Sequence, residues 1–214
     1  MTSIPIFITG TGTDVGKTLA SAIITEALEA DYWKPVQAGF DNGTDAFKVK
    51  SLISNSKSVI HGEAYELILP ASPHIAAREE DTKINLDVIT NKFKEFKSDN
   101  PFIVIEGAGG IMVPLNEKEF IIDLIQQLHA KVVLVSRNYL GSINHSLLTA
   151  ALCKQRQLPV VGWLFNDHYM NYEKEIVDWS GYPEIGCIPF MEEITRAFVR
   201  EEALKLKPRL LELL

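Results

Sequence analysis

Residues 10–18 read Gly-Thr-Gly-Thr-Asp-Val-Gly-Lys-Thr, and this spacing can cradle phosphates. The general phosphate loop is G-x-x-x-x-G-K-[ST]. Gly16, Lys17 and Thr18 stand where that pattern needs them. Gly10 comes one residue early, Thr11 takes the standard first position, and Gly12 lies inside the loop. An apolar run precedes the loop and a helical pattern follows it. In that setting successive backbone N–H groups and a helix N-terminus face the phosphates. Lys17 then reaches the β- and γ-phosphates, and the Thr18 hydroxyl is placed for Mg²⁺. The expected ligand is a nucleoside triphosphate.

Three further side chains could take part. Glu106 ends an apolar run and opens Gly107-Ala108-Gly109-Gly110. A carboxylate there stands on the ligand edge of a sheet and suits Mg²⁺, which prefers oxygen donors; its plainer role is to cap a loop. Asp45 follows a loop and serves equally as an N-cap or a metal ligand. Lys34 precedes Pro35, which holds it in extended geometry and aims it outward from a strand end. By itself it reads as a solvated lysine. The glycines at 107, 109 and 110 permit close backbone approach.

Short apolar runs alternate with amphipathic stretches, and these must position the candidates. Strands are expected at 4–9, 32–36, 102–106, 131–136, 160–165 and 184–188. Helices are expected at 17–30, 45–52, 87–96, 120–128, 143–155 and 173–179, with a helical tail at 192–213 in one or two pieces. Strands apolar on both faces and separated by helices imply a mostly parallel sheet with helices on both faces. The pattern is that of a single α/β domain. Loops are expected at 38–44, 70–74, 107–119 and 137–142, and ligands bind at the carboxyl ends of such strands.

The 214 residues, 46% hydrophobic and 23% charged, can bury a substantial core. The net charge of −7 argues against nucleic acid as a partner. Cys153 and Cys187 form no C-x-x-C pair and read as reduced thiols. No signal-peptide pattern opens the chain, and no apolar stretch approaches the about 20 residues of a membrane span. A soluble cytoplasmic protein is expected.

Taken in order, the motifs resemble dethiobiotin synthetases, ATP-dependent enzymes of biotin synthesis. The resemblance runs over most of the chain. It is carried by the 10–18 loop, by Lys34-Pro35-Val36-Gln37-Ala38-Gly39, and by Thr44-Asp45-Ala46. It continues in Ser72-Pro73-His74-Ile75-Ala76-Ala77, Glu106-Gly107-Ala108-Gly109-Gly110, Val113-Pro114-Leu115, Leu140-Gly141-Ser142-Ile143-Asn144-His145 and Asn166. The early Gly10 is that family's form of the loop. The glutamate-led glycine run and the Gly-x-Ile-Asn-His segment are the specific signals, since many unrelated activities share a phosphate loop.

The resemblance implies a P-loop fold and a reaction. Its substrate is 7,8-diaminopelargonic acid, one amine of which captures CO₂ as a carbamate. The carbamate attacks the γ-phosphate of ATP, and the second amine closes the ureido ring and expels phosphate. By position, Thr18, Asp45 and Glu106 become Mg²⁺ ligands, and Lys17 and Lys34 the catalytic cations. ATP contacts fall on Gly12, Thr13, Asp14, Val15, Gly16, Lys17 and Thr18, with Asn166, Gly186, Ile188 and Pro189 around the base. Substrate contacts fall on Thr13, Lys34, Ala38, Gly107 and Gly110, and on Gly141, Ser142, Ile143 and Asn144 at a helix N-terminus suited to a carboxylate. The family is a homodimer with substrate near the subunit interface. Ala38 departs from the hydroxyl residue often found there. Two other P-loop classes compete. Amide-forming synthetases carry a glutamine-hydrolysing domain with a reactive cysteine. Chromosome-partitioning ATPases carry an extra lysine where this chain has Thr11.

Overall fold

The structure is a computed structural model and describes residues 3–40 and 43–214. Positions 41 and 42, inside the expected 38–44 loop, lie outside the described residues. The chain opens with β1 (Ile4–Gly10), runs through the phosphate loop into α1 (Lys17–Leu28), and returns as β2 (Asp31–Trp33). Then come β3 (Val36–Ala38), α2 (Asp45–Leu52), β4 (Ile60–His61), β5 (Tyr65–Leu67), α3 (Pro73–Glu79) and α4 (Leu86–Glu95). The second half alternates more regularly: β6 (Phe102–Gly110), α5 (Ile121–Gln127), β7 (Lys131–Arg137), α6 (Ser142–Gln155) and β8 (Val160–Asn166). It ends with α7 (Glu173–Ser180), β9 (Glu184–Ile188) and α8 (Arg196–Leu213).

Seven strands form one sheet in the order β4-β2-β6-β1-β7-β8-β9, every pair parallel. Strand β1 lies at its centre, where Ile6 and Ile8 face one layer of helices and Phe7 the other. The first layer is α1, α2 and α8; the second is α3 to α7. Two-sided burial explains the unbroken apolar runs. The phosphate loop leaves the sheet where its neighbours diverge to β6 and β7, the crevice in which open α/β sheets hold ligands.

Three expectations are corrected. The strand expected at 32–36 is two strands in two sheets. Strand β2 pairs with β6 and β4, and β3 pairs with β5 in a separate parallel ribbon. Lys34-Pro35 is the break, because proline brings no N–H to a ladder. The loop expected at 107–119 begins late: β6 continues through the glycine run and pairs Gly110 with Gly10. Helix α3 is not among the expected helices: its N-cap is Ser72 and it starts at Pro73, inside the expected 70–74 loop, with proline in its first turn. The tail is one helix, and Pro208 lies inside it.

A buried polar network ties the outer strands together. Asp31 is fully buried and accepts from the Val59 N–H (3.0 Å), Asn100 Nδ2 (2.6 Å) and His61 Nε2 (3.1 Å). Burial alone raises a carboxyl pKa, but these bonds and Ser98 outweigh it and hold Asp31 down to about 2. A carboxyl depressed on folding stabilises the protein above its unfolded value and loses that contribution as pH falls towards 2. Asp31→Asn is therefore expected to cost about 1–3 kcal/mol at neutral pH. The deficit should shrink in acid, as urea unfolding at pH 7 and pH 3 will report. Equal deficits at both pH values contradict the assignment.

Candidate active site: a phosphate loop beside a lysine and two carboxylates

Gly10 explains the early glycine. A Cβ there would lie 2.6 Å from Val15 Cγ2 and 2.8 Å from the Gly12 carbonyl oxygen. That carbonyl accepts from Lys17 Nζ at 2.7 Å. The bare Gly10 thus lets the loop fold back far enough to hold its own lysine. Gly16 has φ +94 and precedes α1 directly, a left-handed conformation that suits glycine. Asp14 is also left-handed, at φ 55. Val15 is buried, whereas Thr13 and Asp14 are exposed. Gly12 has open space where a Cβ would be.

Lys17 is 8% exposed, and desolvation lowers its pKa to about 8 against the opposing pull of Glu106, Asp14 and Asp45. Thr18, one residue on, meets both predicted carboxylates. Its Oγ1 lies 2.9 Å from Asp45 Oδ1 and 2.9 Å from Glu106 Oε1. Lys34, at the break between β2 and β3, turns inward rather than to solvent: it is 6% exposed. Its Nζ contacts Asp45 Oδ2 and lies 3.3 Å from Glu106 Oε1. Burial lowers the Lys34 pKa, but the two carboxylates outweigh it and hold the ammonium above the ordinary lysine value. Asp45 is raised by burial, yet Lys34, Thr18 and Lys48 bring it below the usual range.

Asp45 is not the cap of α2. Thr44 caps the helix, and its side chain accepts from the Phe47 N–H. Gln37 Oε1 accepts from the Asp45 N–H at 3.1 Å, so the ribbon strand β3 helps to aim the carboxylate. Glu106 is 1% exposed, and its second oxygen accepts from the buried Tyr32 hydroxyl at 2.9 Å. Tyr32 is a positioning residue that sequence reasoning missed. Inside an apolar strand nothing marks a tyrosine as polar in purpose.

The cluster is an all-oxygen donor set, as Mg²⁺ prefers. One hydroxyl proton on Thr18 cannot satisfy two carboxylate oxygens at equal distance. The two carboxylates contact one lysine. Both features fit an added divalent cation, which Thr18, Asp45 and Glu106 would hold.

Other predicted residues sit apart from this cluster or contribute differently. Asn166 ends β8 and donates from Nδ2 to the Val15 carbonyl at 3.3 Å, lying against Gly16. Ile188 has its side chain in the core and can offer only backbone to a ligand. Gly186 makes room for Leu206 of α8, and Pro189 follows β9 half-buried. Gly107 packs its bare α-carbon on Phe7, and Gly110 on the Gly10 carbonyl, so the approach they permit is to the protein itself. Ala38 ends β3, half-buried. Gly141 is the left-handed N-cap of α6. Ser142 is fully buried and engaged: its Oγ meets the Tyr172 hydroxyl at 2.6 Å, and its N–H donates to the Tyr139 carbonyl. Ile143 and Asn144 remain as first-turn donors.

A cavity of about 540 Å³ separates Thr13, Asp14 and Val15 from the segment 137–140 that leads into α6. It adjoins the outer side of the loop and is not lined by Lys17, Thr18 or the carboxylates. Asn138 lines it at 2% exposure with both amide atoms unpartnered. No motif pointed to that residue.

The sheet order and the loop define a P-loop protein of the α/β class. Solved structures agree on the fold. The septum site-determining protein MinD from Pyrococcus horikoshii, complexed with Mg-ADP, is 17% identical with a TM-score of 0.56, covering 97% of this chain and 90% of that one. A ParA family ATPase from Chlorobium tepidum is 13% identical with a TM-score of 0.59, covering 99% and 98%. The family described as AAA domain matches residues 5–197. Closer in sequence is the ATP-dependent dethiobiotin synthetase BioD of Cytophaga hutchinsonii, 46% identical over 202 residues, 94% of this chain and 95% of that protein. Its counterpart in Christiangramia forsetii is 46% identical over 211 residues, 97% and 98% of the two. The chain belongs to the dethiobiotin synthetase family.

Proposed function

We propose that this chain, as a single domain spanning residues 1–214, is a cytoplasmic, Mg²⁺- and ATP-dependent dethiobiotin synthetase, a C–N bond-forming ligase. Its substrates are 7,8-diaminopelargonic acid, CO₂ and ATP, and it works as a homodimer. The observation that carries this reading is the meeting of Lys17, Thr18, Lys34, Asp45 and Glu106 in one cluster. The residues come from four separate parts of the chain.

Phosphoryl transfer asks for positioning and charge neutralisation more than covalent chemistry. Lys17 leaves the Gly12 carbonyl for the β- and γ-phosphates. Thr18, Asp45 and Glu106 would hold Mg²⁺, which would supply neutralisation of the phosphate charge when bound. Lys34 faces the place where a carbamate oxygen attacks the γ-phosphate, and stabilises the charge that builds there. That attack expels ADP and leaves a mixed carbamic-phosphoric anhydride, whose carbonyl carbon the second amine then attacks, closing the ureido ring and releasing phosphate. Asn166 offers an amide to the adenine edge, which suits one donor and one acceptor. The first turn of α6, at Ile143 and Asn144, receives the substrate carboxylate. Leu140, 91% exposed beside that turn, and Leu148 on α6 support a second copy covering this face.

Lys17 sets a pH dependence. Its pKa of about 8 belongs to the nucleotide-free protein, and bound phosphates raise it. Below that value the ammonium is already charged; above it, binding must recruit a proton. The Kd for ATP is expected to climb by up to about tenfold per pH unit above the pKa. Calorimetry in buffers of different ionisation enthalpy should read the proton uptake. Uptake of none sinks the assignment.

The deciding assay mixes protein with diaminopelargonate, bicarbonate, Mg²⁺ and ATP and looks for the cyclic urea. ATP hydrolysis that ignores the diamine, with no cyclic product, would refute the synthetase reading.

A further inference from the structure

A second group of donors stands outside the phosphate-side cluster. His168 follows β8, Glu173 opens α7, and Cys187 lies in β9. His168 Nδ1 is 3.2 Å from Glu173 Oε1 and 3.4 Å from Cys187 Sγ. All three ligand atoms lie within 4.8 Å of one another. Metal–ligand bonds of zinc are about 2.0–2.3 Å, so tetrahedral ligands sit about 3.3–3.6 Å apart. The two separations in the structure, 3.2 and 3.4 Å, are close to that edge length. The same imidazole nitrogen makes both contacts, so the ring points into the middle of the group.

The charge balance agrees with the geometry. Glu173 is 9% exposed. Among the described residues no lysine or arginine pairs with it; His168 is its one ion-pair partner. Buried carboxylates are ordinarily paired or coordinate a metal, and the N-terminus of α7 supplies only part of that compensation. Asp45 and Glu106, by contrast, already share Lys34.

We propose that His168, Glu173 and Cys187 form a binding site for a thiophilic divalent cation such as Zn²⁺, with the fourth position open. The mixed nitrogen, sulfur and oxygen set selects Zn²⁺ or Co²⁺ over Mg²⁺. The ion would join the ends of β8 and β9 to the start of α7. The segment it ties down carries three non-glycine residues in left-handed conformation, Asp167, Met170 and Asn171, a geometry that tertiary contacts must hold in place. The proposal stands apart from the synthetase reading, since it uses none of the residues assigned to ATP, substrate or Mg²⁺.

The test is a Co²⁺ titration of the protein without Mg²⁺ or nucleotide. One equivalent is expected to give a thiolate-to-cobalt charge-transfer band, which Zn²⁺ then displaces. Cys187→Ser should abolish the band, and Cys153→Ser should leave it intact. His168→Ala and Glu173→Gln should each weaken binding by at least about tenfold, since even groups behind the ligands are worth that much. His168→Ala changes an exposed side chain, so it reads the site even if a buried substitution disturbs folding. Absence of the band in the unaltered protein overturns the proposal, as does its persistence in Cys187→Ser. Neither result bears on cyclic urea formation.

Discussion

Lys34→Met should reduce kcat by about 10²–10³-fold at saturating ATP, the usual effect of deleting one preorganised donor to a developing oxyanion. The substitution keeps the apolar stem and removes the ammonium that contacts both Asp45 and Glu106. On the proposed reading, Mg²⁺ would answer the same two carboxylates as Lys34, so the two would partly substitute for one another before ATP arrives. The variant should therefore bind Mg²⁺ more tightly while turning over more slowly. Its thermal midpoint without metal should fall, and added Mg²⁺ should recover more of it than in the unaltered protein. Retention of full kcat would remove Lys34 from the chemistry, whatever happens to stability.

Glu106→Gln tests the other side of the cluster. Glutamine preserves the shape and can still accept from Tyr32, but removes a charge beside Thr18 and Lys34. The Mg²⁺ concentration needed for half-maximal activity should rise at least about tenfold, and kcat/KM should fall by about 10²-fold at fixed Mg²⁺. Stability should drop by about 1–3 kcal/mol, because a buried charge-assisted bond to Lys34 is lost while its partner stays. Tyr32→Phe is a useful companion. It leaves the charge but frees one carboxylate oxygen, so it should raise the Mg²⁺ requirement less than Glu106→Gln does. A Mg²⁺ titration of Glu106→Gln that overlays the original rules out a ligand role.

Legibility in the sequence followed the range of the interactions. The loop at 10–18 with its flanking strand and helix is a local device, and its residues announce it. The helices are equally local, and α4 to α7 begin and end within about a residue of the expected bounds. What the sequence could not reveal depends on pairing across the fold. Whether the chain continues past Trp33 in one sheet or enters another is decided by β5, which captures β3. The run at 107–110 looked like a loop because glycine is a poor strand former, yet it pairs beside Gly10. Lys34 read as solvated because only the packing of α2 and β6 reveals two carboxylates waiting for it. Asp45, Glu106 and Lys34 could be assembled earlier only through the family resemblance. Tyr32 and Asn138 were invisible on either route.

The bond from Asn166 to the Val15 carbonyl has a mechanical consequence. Its amide rests where any side chain at residue 16 would have to go, 2.2 Å from such a Cβ. The end of β8 and the turn into α1 therefore behave as one stiff part, like two fingers of a glove sewn together. On the proposed reading, in which Asn166 meets the base, a shift of the turn against a triphosphate tail would carry that amide with it. Tail and base would then be gauged jointly, and a ligand that offers only one of them would leave the other half of the gauge unengaged.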